Sequence, residues 1–197
     1  VRIGVLALQG AFREHILALE AIGASAVAVR LPAQLDGCDG LIIPGGESTA
    51  IAKLMDRHGF YESVQGRCRE GMAVWGTCAG AILIAKRISD GLPGQRSLGL
   101  LDIQVRRNAY GRQSDSFEAG LEVKGLDEPF QGIFIRAPWI ESVGEGVRVL
   151  AEHDGRIVAV RSASMMATTF HPELTRDLRL HRYFVSDLCS RSRLDGA

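Results

Sequence analysis

The chain has 197 residues, 46% of them hydrophobic and 23% charged, with Lys plus Arg and Asp plus Glu balanced at 23 each. That length and balance suffice for one sizeable core and exclude a disordered or fibrous chain. The zero net charge gives no bulk electrostatic reason to expect nucleic acid or an anionic membrane as partner.

In chain order, residues 2–8 are a continuous apolar run of strand length, 12–22 carry apolar residues at helical spacing and stop at Gly23, and 25–30 form a second strand. Gly40-Leu41-Ile42-Ile43 is a third strand, halted by Pro44-Gly45-Gly46, after which Ser48 or Thr49 can cap a helix to about Arg57. Residues 72–75 supply a fourth strand that enters Gly76-Thr77-Cys78-Ala79-Gly80, and 81–86 continue as helix. Apolar strands alternating with helices predict an α/β fold: a mostly parallel sheet flanked by helices, with ligands bound at the carboxyl ends of the strands.

The second half changes character. Residues 104–107, 117–123, 132–137 and 147–152 are strand-like, and His153-Asp154-Gly155-Arg156 is a hairpin turn into 157–160, so antiparallel pairs are expected there. A last strand, 166–170, delivers His171, and 178–188 close the fold as a helix. A single domain over 1–189 is expected, with 190–197 a frayed tail that has little to bury.

No apolar run approaches the roughly 20 residues that span a bilayer, and residues 1–8 are too short and strand-like for a signal peptide, so the expected compartment is the cytoplasm. The four cysteines, Cys38, Cys68, Cys78 and Cys189, show no CxxC pairing, which argues against a zinc ribbon or a disulfide framework.

Cys78 stands out because Gly76 and Gly80 flank it at two-residue distances, as a sharp strand-to-helix elbow requires. In Phe170-His171-Pro172-Glu173, the proline biases His171 toward extended angles, and residues two apart in an extended segment face the same side. Cys78, His171 and Glu173 therefore fit a nucleophile, its base and the carboxylate that orients the base. A helix starting after Cys78 places positive dipole density at the sulfur, and the Ala79 amide is one candidate oxyanion donor. Gly46, in a turn whose glycines let backbone approach a substrate closely, is the second.

Blander readings stand beside these. An isolated cysteine is more often a buried small hydrophobe than a nucleophile, Gly45-Gly46 can be a simple turn device, and Arg107 and Arg136 can be ordinary surface arginines. His15, His58, His153 and His181 lack ligand spacing and read as structural or solvated, so no metal is predicted. Gln9-Gly10, at the end of the first strand, belongs beside the Gly46 turn or is a plain connection. No phosphate-binding G-x-x-x-x-G-K and no G-x-G-x-x-G is present.

The G-T-C-A-G elbow, the P-G-G-E-S turn and the late F-H-P-E resemble the class I, triad-type glutamine amidotransferases. Within that group, Leu8-Gln9-Gly10-Ala11 with Arg13-Glu14-His15, Arg107-Asn108 with Gly111-Arg112-Gln113, Asp115-Ser116-Phe117-Glu118 and Phe134-Ile135-Arg136-Ala137-Pro138 are similar to the glutaminase subunits of pyridoxal 5′-phosphate synthases, over about residues 3–185. The resemblance implies that Cys78 attacks the side-chain amide of L-glutamine, that His171, oriented by Glu173, protonates the departing ammonia, and that water releases glutamate from a thioester. It implies that Gly46, Glu47, Ser48, Arg107, Ile135 and Arg136 contact glutamine and that no cofactor is held. The ammonia would pass to a separate barrel-type synthase subunit that makes pyridoxal 5′-phosphate. Alternatives are a glutaminase serving another acceptor, a catalytically silent binding module on the same scaffold, and a cysteine peptidase.

Overall fold

The computed structural model describes residues 1–107 and 116–189, so the motif residues Asn108 to Asp115 and the expected tail at 190–197 lie outside the described residues. The first half runs β1 (Arg2–Leu6), α1 (Phe12–Ala21), β2 (Ser25–Val29), β3 (Gly40–Ile43), α2 (Ser48–Arg57), α3 (Phe60–Arg69), β4 (Ala73–Thr77) and α4 (Ala79–Ile84). The second half runs β5 (Ala85–Ile88), β6 (Leu101–Arg106), β7 (Ser116–Leu121), β8 (Phe130–Ile135), β9 (Trp139–Val143), β10 (Arg148–His153), β11 (Arg156–Arg161), β12 (Met165–Thr168) and α5 (Arg179–Tyr183).

The large sheet has the order β2-β1-β3-β4-β12-β11-β9-β6-β5, with β10 paired to β11. Every pairing from β2 through β12 is parallel. Beyond β12 the β11, β9 and β10 pairings turn antiparallel, and β7 and β8 make a separate antiparallel ribbon. The mostly parallel first half and the antiparallel pairs of the second half are as the sequence patterns predict, while β5 and β6 pair in parallel.

Both faces of the parallel region are covered, which explains why its strands read as unbroken apolar runs. Along β3, Leu41 and Ile43 point into the core beneath α2, α3 and α4, while Ile42 points to the opposite core beneath α1 and α5. Along β4, Val74 joins the first core, and Ala73 and Trp75 the second. In β12, Met165 and Ala167 go one way and Met166 the other. Alternation survives in which core a residue enters, not in polarity.

Several elements depart from expectation. The helix α3 was not foreseen: Phe60, Tyr61 and Val64 are its buried anchors among mostly polar residues, so its apolar stripe is thin. The helix after Cys78 begins and ends two residues earlier than the expected 81–86, because Ala85 turns extended and opens β5, which pairs with β6. The short strand β9, directly after Pro138, was also missed. The expected closing helix 178–188 divides into α5 and a wider π-type turn over Phe184–Cys189. No helix among the described residues is long and apolar enough to cross a membrane.

Candidate active site

The parallel strands β1, β3, β4 and β12 converge with their carboxyl ends side by side, and each is followed by one segment of the site. Gln9 follows β1, Gly45 and Gly46 follow β3, Cys78 follows β4, and His171 follows β12.

Cys78 lies at φ 48° and ψ −106°, a conformation that L-residues rarely adopt and that surrounding structure must enforce. Its neighbours supply the enforcement. A side chain on Gly80 would overlap the Ile43 carbonyl, and one on Gly76 would overlap the Gly80 backbone, so α4 packs directly onto the ends of β3 and β4. The Cys78 amide donates to Thr168 O at 2.8 Å, tying the elbow to β12. Cys78 occupies the position just before α4, whose first amides carry the positive end of the helix.

His171 is placed by the small ribbon: its amide donates to Ile133 O of β8 at 2.8 Å. Pro172 then opens a short 3-10 turn over Pro172–Leu174. This brings Glu173 back so that its Oε1 sits 2.7 Å from His171 Nδ1. Both side chains are buried, with His171 at 7% and Glu173 at 6% exposure. The pairing anticipated from the two-residue spacing is thus present, although a turn rather than an extended strand makes it.

Burial opposes a charge on His171, yet contact with Cys78 and the hydrogen bond that His171 donates to Glu173 outweigh it and push the imidazole up to about 10. Burial likewise opposes ionisation of Glu173, but the imidazoles of His15 and His171 on either side hold its carboxyl below the usual value. The arrangement favours an imidazolium with a carboxylate on one side and sulfur on the other.

The Gly45-Gly46 turn is held from the β1 side. Ala11 N donates to Gly45 O at 3.0 Å, and Glu47 N donates to Gln9 Oε1 at 2.8 Å. No peptide bond among the described residues is cis, so an N–H points opposite to the carbonyl of its own peptide plane. With the Gly45 carbonyl tied toward β1, the Gly46 N–H is directed to the β4 side, where Cys78 stands. A side chain on Gly45 would run into the His171 ring, and one on Gly46 would meet the side-chain oxygen of Gln9.

Gly46, Glu47, Ser48, Cys78, Ala79, Arg107, Ile135, Arg136 and His171 all line one cleft of about 340 Å³, with Glu173 behind His171. Gln9, Ile82 and Pro138 complete the lining. Cys78 Sγ faces Ile135 O at 4.0 Å, and Arg136 takes a positive φ of 45°, which turns its backbone at the cleft edge. The Arg107 amide is anchored to Asp90 Oδ1 at 2.6 Å, while its buried Nε has no hydrogen-bond partner among the described residues.

Glu47 corrects one expectation. Not Ser48 or Thr49 but Glu47 caps α2, accepting from the amides of Thr49 at 3.0 Å and Ala50 at 2.7 Å. Partial burial opposes its charge, but these bonds and nearby Arg107 hold its carboxyl below the usual value. A glutamate reaches N2 and N3 amides as an aspartate does, a cap that residue preferences at this position do not favour.

Two buried neighbours of the site escaped the sequence. His15 of α1 and His181 of α5 are fully buried, with their rings tilted at 54° to one another and centroids 5.2 Å apart. The only trace of His15 was its place in the Arg13-Glu14-His15 motif; nothing marked His181. Among the described residues no cluster of His, Cys, Asp and Glu is suited to a metal ion.

A strained cysteine elbow on an α/β sheet thus shares one cleft with a histidine–carboxylate pair. The chain belongs to the SNO glutamine amidotransferase family, whose profile matches residues 5–190. It is 56% identical to a pyridoxal 5′-phosphate synthase subunit PdxT from Nocardioides sp., over 97% of this chain and 97% of that protein. A crystal structure described as a glutamine amidotransferase superposes with TM-score 0.90 at 52% identity, covering 95% of this chain and 98% of the other. The PurLQS structure from Thermotoga maritima, at 19% identity and TM-score 0.69 over 98% of this chain and 97% of that one, shares the fold.

Proposed function

We propose that this glutamine amidotransferase is the ammonia-producing glutaminase subunit of a pyridoxal 5′-phosphate synthase, with Cys78, His171 and Glu173 as its triad. The observation that carries the reading is the placement of Cys78: a strained residue at a helix start, in one cleft with His171, whose far nitrogen is held by Glu173.

Glutamine enters with its side-chain amide toward Cys78. The sulfur, as thiolate beside the His171 imidazolium, adds to the amide carbon, and the carbonyl oxygen becomes an oxyanion between the Gly46 and Ala79 amides. His171 gives its proton to the leaving nitrogen, ammonia departs, and a thioester remains. Neutral His171 then takes a proton from water, which attacks the thioester through a second oxyanion and releases glutamate. Glu173 keeps the proton-bearing Nδ1 of His171 turned inward so that Nε2 faces the reacting atoms. Arg107, with its unpartnered Nε, suits the substrate's α-carboxylate, and the backbone at Ile135 and Arg136 with Glu47 and Ser48 shapes the rest of the pocket.

The ammonia is delivered to a barrel-type synthase subunit that makes pyridoxal 5′-phosphate. The test is ammonia release from glutamine by the chain with and without that synthase. Stimulation by the synthase is expected, together with co-purification of the two. Peptide turnover without glutamine turnover would support a cysteine peptidase instead, and stimulation by a different acceptor enzyme would assign the glutaminase to another pathway.

A further inference from the structure

Glu173 has a second carboxylate oxygen that the triad does not use. Oε2 is buried, no hydrogen bond satisfies it among the described residues, and His15 Nε2 approaches it at 3.3 Å. The same Nε2 lies 3.2 Å from Thr77 Oγ1, the residue next to Cys78. On the other side of the ring, His15 Nδ1 is 3.0 Å from His181 Nε2. His181 Nδ1 is buried without a partner among the described residues.

These contacts leave one sensible placement of protons. Burial disfavours charge on either ring, lowering the pKa of His15 and pushing that of His181 down to about 3, so both are neutral at pH 7. If His15 carried its proton on Nδ1, its Nε2 lone pair would face the Glu173 carboxylate, and His181 would have to bury an N–H with no acceptor. If His15 carries it on Nε2, the proton points at Thr77 Oγ1, with Glu173 Oε2 3.3 Å from the same nitrogen. His181 Nε2–H then donates to His15 Nδ1, and the atom left over is a lone pair on His181 Nδ1, the lesser cost.

We propose that His15 is a positioning residue for the glutaminase reaction, a neutral Nε2–H donor that holds the far oxygen of Glu173, with His181 fixing its tautomer. The inference rests on the triad assignment above. A carboxylate held at one oxygen can rotate and be protonated; held at both, it keeps His171 in one orientation toward Cys78. The groups facing Glu173 are His171 and, through it, Cys78, then His15 with Glu14 on α1, and His181 of α5 behind His15.

The test compares His15→Leu, His15→Gln and wild type in the assembled synthase complex. His15→Leu removes the donor; His15→Gln returns an N–H at the Nε2 position. Expected are a fall in kcat of about 10- to 100-fold in His15→Leu with KM for glutamine within about twofold, and substantial recovery in His15→Gln. The acidic limb of kcat/KM should move to higher pH in His15→Leu only, because loss of a donor eases protonation of Glu173. Nitrogen-15 NMR of the wild-type histidines, with His15 assigned by its absence in His15→Gln, should show it protonated on Nε2. A folded His15→Leu with unchanged kcat and an unmoved acidic limb would overturn the proposal, as would a His15→Gln no better than His15→Leu, or an Nδ1–H tautomer in the wild type, which decides the matter even if His15→Leu fails to fold. Cys78→Ala is run in parallel: turnover surviving there would overturn the triad itself, a distinct failure.

Discussion

At the scale of residues, the proposed mechanism divides its work among three side chains. Among the four cysteines, burial pushes the thiols of Cys68 and Cys189 up to about 12 and that of Cys38 upward, leaving them as inert thiols. Cys78 alone lies in the cleft with an imidazole. Glu173→Gln is expected to lower kcat by as much as about 10⁴-fold with little change in KM, since an amide can favour the wrong His171 tautomer. Arg107→Ala is expected to raise KM for glutamine by about 10-fold or more, the value of a hydrogen-bonded charge at about 1.5 kcal/mol or above; steady-state ammonia release checks both. Cys78, His171 and Glu173 were legible because their chemistry imposes glycines and a proline at fixed spacing. His15 and His181 were not, since a buried imidazole pair formed by α1 and α5, 166 positions apart, leaves no local pattern.

At the scale of elements, the site depends on how closely α4 and the Gly45-Gly46 turn approach their neighbours. Gly80→Ala forces a methyl into the Ile43 carbonyl and should cost about 1–3 kcal/mol or more, read as a lower Tm. Gly45→Ala acts differently: its methyl meets His171 and lies close to Cys78, so activity should fall further than stability, which paired thermal melts and kinetics will separate. The strands β1, β3, β4 and β12 were readable as apolar runs ended by turn residues. The helix α3 and the strand β9 were not, because α3 buries few residues and β9 is short and decided by pairing with β6 and β11. Likewise Ile82 and Ile84 carry β-branched side chains yet lie in helix, where packing against β3 and β4 decides over propensity.

At the scale of the whole molecule, buried histidines make stability respond to pH in two separate windows. For His181, the unfolded ring binds a proton near pH 6.5 while the folded ring resists until about 3, so its neutral form favours folding above 6.5 and that contribution is lost as pH falls. For His171 the sign reverses: its contribution is full below about 6.5 and is lost as pH rises through about 10. Thermal melts across pH should decline on both sides of the near-neutral region. His181→Leu should flatten the acid side, and His171→Asn the alkaline side; unchanged slopes would contradict the assignment.

The same assembly of distant strands places one thiol, that of Cys78, in the cleft, and a glutamine-like electrophile tests its proposed attack directly. Incubation with such a reagent followed by peptide mass spectrometry should give one label, on Cys78, rising in step with the loss of ammonia release, with glutamine protecting against both. Labelling of Cys38, Cys68 or Cys189 in its place, or undiminished ammonia release from Cys78→Ala, would contradict the account.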